Sequence, residues 1–245
     1  MNKQYLEKSF AELESKIGVS IQRGIDCLSM NSDFSNVEEV INLDDKEQLA
    51  FFLALQSIRT PYYREVSSNF LSFLDEVSPI FSSINNGFND NELLFLYLNT
   101  GALERLSNYF LSNFHWMIGT IDVPEQAKLS HVRKSFVTDE FLISDNPIIN
   151  FKHVINDKVS LEFGCPLSSK HILLLRDEFS PYPINESGRV SLNRNEIRIY
   201  NEYQCRFSTR KVIYNKKENL VKIKSFFNTF PRSLTHNGDS ICVLT

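Results

Sequence analysis

The hydrophobic period of this chain changes at His115, and that change limits the fold more than any other feature. Before it, apolar residues recur every three or four positions, the spacing of one helical face. Leu6, Phe10, Leu13, Ile17 and Ile21 set this period over residues 4 to 28. Phe51, Ala54, Leu55 and Ile58 repeat it over 46 to 59, with Asp44 or Asp45 as the cap. A further helix is expected over 90 to 113, weakened in its middle by Gly101. From His115 onward, Trp116, Ile118 and Ile121 alternate with other residues, as in a strand.

Later segments keep that character. Strands are expected at Glu140 to Ser144, Ile148 to Phe151, Val159 to Phe163, His171 to Arg176 and Lys211 to Tyr214. One helix interrupts them, from Arg194 to about Phe207. Asn193 and Glu196 have capping-box spacing at its start, and Ile197, Tyr200, Asn201 and Gln204 share one face. The tail after Lys216 has no clear period. The expected architecture is one α+β domain over 1–245, with a helical part (1–114) packed on a mostly antiparallel sheet from the strand-rich part (115–245).

Pro61 sits between two helical patterns. It removes an N–H and disfavours helical geometry at Thr60. Either one helix kinks there, or a second begins with Thr60 as cap and Pro61 at its first position, continuing through Val66, Phe70, Phe73, Leu74 and Val77.

Composition narrows the function classes. Glycine is scarce, 8 residues in 245, and the sequence holds no Gly-rich phosphate loop, dinucleotide fingerprint, Gly-x-Ser-x-Gly elbow or His-Glu-x-x-His helix. The longest apolar runs fall far short of the roughly 20 residues of a spanning helix. The first residues carry charge where a signal peptide needs an apolar stretch. A cytoplasmic, membrane-free protein is expected. Cys27, Cys165, Cys205 and Cys242 are scattered, which fits buried thiols better than a disulfide framework. The five histidines form no ligand-spaced pair, so the sequence names neither a metal nor a cofactor. Ser168 has no visible partner base and reads as a turn residue.

Charge is uneven. Net charge is −4, yet Arg189 to Lys224 holds ten Lys or Arg against three Asp or Glu. A face built from that segment would attract an anion. Tyr200, Tyr203, Phe207 and Tyr214 lie among the cations as candidate base-stacking rings.

Two motifs are distinctive: Gln56-Ser-Ile-Arg59-Thr-Pro61 within the stretch Asp45 to Arg64, and Ser144-Asp145-Asn146-Pro147. With Trp116, Pro166-Leu167-Ser168 and Asn201, their order and spacing resemble an uncharacterised bacterial family, a domain of unknown function with serial four-two-three-eight. The resemblance covers most of residues 1 to 215. It implies no reaction. Such proteins usually begin with a segment carrying a His and a Pro, and this chain starts after that point. Obscure bacterial families of this kind often travel with phage-defence cargo.

The motifs nominate site residues. Gln56 and Arg59 share a helical face, and a guanidinium beside a helix N-terminus receives phosphate or carboxylate. Arg64 falls one turn further on. Asp145 precedes Asn146-Pro147, so the N–H two residues on, its usual turn partner, does not exist. Asp145 and Arg59 are therefore the candidate catalytic pair, and Gln56, Arg64, Asn146 and Asn201 the candidate substrate contacts. The expected activity is that of a hydrolase or nuclease-like enzyme on a phosphate-bearing substrate, a nucleic acid or nucleotide. The alternative is a non-catalytic binding or regulatory protein whose polar motifs stabilise an unusual turn. Convergence of these residues in one open cleft favours the first, and burial with mutual pairing favours the second. The oligomeric state is open.

Overall fold

The structure, a computed structural model, describes residues 15, 17–28, 40–59, 101–121, 138–155, 158–208, 211–229 and 242–243. The described elements fall into two compact units that meet in sequence between Phe114 and His115. This is the point at which the hydrophobic period changes. The first unit is helical and the second is mostly strand, so the fold is α+β.

In the first unit, α1 (17–28) carries buried Ile17 and Leu28. α2 (Leu43–Arg59) packs on α3 (Ala102–Asn113). The buried stripe of α2 is Leu49, Ala50, Leu53, Ala54 and Leu55. Its start is fixed by Asn42, whose Oδ1 accepts from the Asp45 N–H at 2.9 Å. The expected cap, Asp45, instead turns inward and pairs with Arg23 at 2.8 Å. Gly101 does not sit in the middle of a helix. Its φ of 68° is left-handed, and α3 begins after it. That conformation is open to glycine and ends any regular helical path.

In the second unit, five strands form one sheet in the order β3-β4-β5-β1-β6. They are β1 (His115–Ile121), β3 (Ile149–Ile155), β4 (Lys158–Pro166), β5 (His171–Arg176) and β6 (Arg189–Leu192). β3, β4, β5 and β1 are antiparallel, and β6 joins β1 in parallel. The helix α4 (Arg194–Phe207) lies on one face. Its Ile197 and Tyr200 pack with Met117, Ile149, Ile172 and Leu174. Gly164 makes room for α4, because a Cβ there would stand 3.2 Å from the Tyr200 ring. The capping box at Asn193 forms as its spacing predicts. Asn193 Oδ1 accepts from Asn195 N–H and Glu196 N–H, and Glu196 Oε2 accepts from Asn193 N–H.

A second, three-stranded sheet runs β2 (Ile143–Ser144), β7 (Val212–Tyr214), β8 (Cys242–Val243). The undefined tail contains a helix, α5 (Glu218–Thr229). Its Ile223 and Phe226 pack with Leu142, Val212 and Tyr214. No described helix is long and apolar enough to cross a membrane.

Candidate functional site

Helix α4 organises the polar part of the second unit by gripping the extended chain of residues 138 to 147. Asn201 is fully buried. Its Oδ1 accepts from Leu142 N–H at 2.8 Å, and its Nδ2 donates to the Glu140 carbonyl at 2.7 Å and to Thr138 Oγ1. One turn on, Gln204 Oε1 accepts from Ser144 N–H at 2.9 Å and from the Ser144 hydroxyl at 2.7 Å, while its Nε2 donates to the Pro147 carbonyl at 2.7 Å. Two amides three residues apart on one helical face thus satisfy backbone groups of a buried segment whose β2 part is an edge strand, paired with β7 on one side.

That grip sets the Ser144–Pro147 turn. Asn146 N–H donates to Ser144 Oγ at 3.2 Å, and Asp145 N–H donates to the Lys211 carbonyl at 3.1 Å. Asp145 is half-buried. Asn146 is 2% exposed, and neither its Oδ1 nor its Nδ2 has a hydrogen-bond partner.

Upstream, buried Glu140 ties the same segment to the start of α5. Its Oε1 accepts from Asn215 N–H at 3.2 Å, from Lys216 N–H at 3.0 Å and from the Asn219 amide. Beside it Asp139 pairs with Lys216 at the surface. Burial pushes the Asp139 carboxyl up, but the Lys216 bond and charge outweigh that and hold it below the usual range. The same bond raises the Lys216 ammonium.

A cavity of about 380 Å³ opens among three segments of this unit. Phe141 and Ile143 come from the gripped strand, Pro166 to Ser169 from the β4–β5 turn, and Ile213 to Asn215 from β7 and its exit. Its size and its lining, mostly apolar with a few polar groups, are those of small-molecule sites. Four exposed lysines flank the lining segments in sequence: Lys170 next to Ser169, Lys211 before β7, and Lys216 and Lys217 after Asn215.

Ser168 lines this cavity and has a base beside it that sequence reasoning missed. Its hydroxyl lies 2.9 Å from His171 Nδ1. Burial, aided by the Lys170 charge, lowers the His171 pKa, which favours the neutral ring. Yet Ser168 Oγ also accepts from Lys170 N–H at 3.2 Å and His171 N–H at 3.1 Å. With its proton on the ring and both lone pairs on amides, the oxygen has no free direction for attack. The arrangement locks the turn.

A third polar cluster has an interior centre, Glu162, Arg176 and Tyr200. Phe151, Glu162, Arg176 and His115 form one row across β3, β4, β5 and β1. Arg176 Nε donates to Glu162 Oε2 at 2.7 Å and Tyr200 donates to Glu162 Oε1 at 2.5 Å. Arg176 Nη1 donates to the Pro183 carbonyl at 3.2 Å, and the guanidinium sits 4.8 Å from the Tyr182 ring. Burial alone would lower the Arg176 pKa, but the Glu162 charge raises it, while burial and Glu162 together raise Tyr200 well above its ordinary value.

Residues 1–218 match the model of a family described as a protein of unknown function, DUF4238. The chain belongs to that family. No curated protein and no solved structure matches it. In this DUF4238 chain the motif residues part into groups. Ser144, Asp145, Asn146 and Asn201 come together through the α4 grip. Gln56 is buried on α2 in the first unit. The Arg59 side chain and the whole of Arg64, with Thr60 and Pro61, lie outside the described residues, as do His131 and His236.

Asn201, expected as a substrate contact, has its amide committed to three internal bonds and acts as a clamp. Two of the four rings expected to stack on bases are unavailable. Tyr200 and Tyr214 are buried, and Tyr203 packs 4.5 Å from Phe151 and 5.2 Å from Phe207. The basic segment is partly neutralised, with Arg198 on Glu202 at 2.6 Å and Lys216 on Asp139. Burial pushes the Cys165 thiol up to about 12, too high for a thiolate nucleophile. Among the described residues, no group of three His, Cys, Asp or Glu is placed to hold a metal ion.

Proposed function

We propose that this chain binds a nucleotide or a short single-stranded nucleic acid in the cavity of the second unit, as a binding or regulatory protein of the cytoplasm. The observation that carries the reading is the lysine-flanked cavity. Its apolar walls, Phe141, Ile143, Leu167 and Ile213, accept a base, and the exposed Lys170, Lys211 and Lys217, close in sequence to the lining segments, supply cations for phosphates, Lys216 being held by Asp139. An acidic remainder disfavours a long duplex. What supports binding over hydrolysis is where the polar groups are spent. Asn201, Gln204, Ser144 and Ser168 are committed to internal bonds. A hydrolytic, nuclease-like form of the reading, of the kind found in phage defence, would place Asp145 as its carboxylate.

The test is a titration of labelled short single-stranded RNA and DNA at low and moderate salt. Three effective lysines give a slope near −2 in log K against log salt, hence about a 15-fold loss between roughly 50 and 200 mM. Charge reversal at Lys170 and Lys211 together should abolish binding. No detectable binding by the wild type at low salt would end the nucleic-acid reading. Cleavage of the strand, lost in Asp145→Asn, would replace the binding protein with the hydrolase.

A further inference from the structure

We infer that the cavity of the second unit takes an adenine base with its phosphate left outside, and that Asn215 on the cavity wall reads the edge of that base. The inference rests on the nucleotide-binding reading above and names the base and the residue that reads it.

The register of the second sheet sets out the wall. Ile143 and Ile213 are partners across β2 and β7, and both line the cavity. Side chains two apart on an extended segment share a face. Phe141 and Asn215, which also line the cavity, therefore stand on the same face as Ile143 and Ile213, and the antiparallel register continued by two residues sets them across from each other. Val212 and Tyr214 pack instead with Ile223 and Phe226 of α5. Phe141 N–H donates to the Ser169 carbonyl at 2.9 Å, which ties this face to the β4–β5 turn.

Among the polar residues of the wall, Asn215 has both a donor and an acceptor to spare. Ser168 is spent on His171 and on two turn amides. The Tyr214 hydroxyl is buried, beyond the reach of a ligand. Ser169 offers a single hydroxyl. Asn215 is exposed, and its side-chain amide bonds nothing among the described residues. Its backbone is anchored, because its N–H and that of Lys216 donate to the buried Glu140 carboxylate at 3.2 and 3.0 Å. A free amide on an anchored stem loses less entropy on binding than one on a loose loop.

The lining chooses the ligand. Among the described residues that line the cavity, none is charged. A phosphate inside it would lose its water without gaining a cation, so phosphates belong outside, with the exposed lysines. A neutral ring suits the apolar walls. The Asn215 amide presents a carbonyl beside an NH₂. Its complement is a donor beside an acceptor, which adenine offers as its N6 amine beside N7 and which asparagine reads bidentately in nucleic acids.

The experiment is calorimetric titration of the full chain, wild type and Asn215→Ala, with adenosine monophosphate and with the same nucleotide lacking the exocyclic amine. The labelled short strands described above are titrated alongside. Wild type should bind adenosine monophosphate about tenfold or more tighter than the amine-free nucleotide. Asn215→Ala should bind both alike, at the wild-type level for the amine-free one. Unfolding temperatures should not move, because Asn215 is exposed and bonds the fold through its backbone. The comparison of the two nucleotides on wild type needs no variant to fold. If wild type binds both equally, or if Asn215→Ala keeps the preference, the inference is overturned and the binding reading stands. Binding of the strands but of neither nucleotide also overturns it. If wild type binds neither nucleotides nor strands, the binding reading itself fails and the inference with it.

Discussion

Arg176→Met should be among the most damaging single substitutions in the second unit, and its magnitude follows from what it leaves behind. Arg176 and Glu162 are each 2% exposed and joined at 2.7 Å. Removing the guanidinium leaves Glu162 buried with the Tyr200 hydroxyl as its remaining partner in the cluster. It also leaves the Pro183 carbonyl without its donor and Tyr182 without the cation beneath its ring. An abandoned buried charge costs about 3–5 kcal/mol, against a total stability of roughly 5–15 kcal/mol for a domain. The assay is urea unfolding followed by fluorescence of Trp116, the one tryptophan, buried on β1 in the same sheet.

The decisive comparison is with the triple variant Glu162→Leu/Arg176→Met/Tyr200→Phe. An apolar core there needs neither desolvation of ions nor their pairing, so it should lie within about 2 kcal/mol of wild type. The argument fails if Arg176→Met costs less than about 1 kcal/mol, or if the triple variant is as unstable as the single one. The first result would mean that the pair is solvated in solution, contrary to its burial, and the second that the cost comes from lost packing and not from an abandoned charge.

Gly119→Ala should destabilise by about 1–3 kcal/mol through overpacking, because its Cβ would meet Ile172 and Leu192 at 2.7 Å; urea midpoints check this. Asn201→Leu should cost about 2–4 kcal/mol, since it strands Leu142 N–H and the Glu140 carbonyl in the interior, and denaturant titration measures it. His171 has a folded pKa below its ordinary value of 6.5, so its contribution is present above about pH 6.5 and is lost as pH falls through the folded value. His171→Asn should flatten that acid limb in thermal melts taken across pH 5–8. Tyr200 has a folded pKa well above its ordinary 10, so its contribution is complete below about pH 10 and is lost as pH rises beyond it. Alkaline unfolding should be shallower in Tyr200→Phe.

What the sequence made legible follows from range. Periodicity is local, so the switch at His115, the strand His115–Ile121 and the helix Arg194–Phe207 with its cap could all be read directly. α5 has a weaker signal. Leu220, Ile223, Phe226 and Phe227 do recur at helical spacing, but lysines and asparagines between them dilute it. The parallel placement of β6 beside β1 had no local sign, because their pairing spans some seventy residues. Asn201 and Gln204 were visible as a polar pair on a helical face. Their role depended on a strand about sixty residues upstream. The Ser168–His171 contact is close in sequence and was legible in principle, as a Ser followed three residues later by a His at a hairpin turn.

The motif that marks the family therefore divides by energetic role. Ser144 and Asn201 solve a folding problem, the satisfaction of a buried strand by helix amides. Substituting either should cost stability wherever the ligand is. Asp145 and Asn146 sit on the turn so produced, and the side chain of Asn146 adds no hydrogen bond to it. The clamp residues should fail in unfolding assays and Asn215 in binding assays, and that separation can be measured on one set of variants.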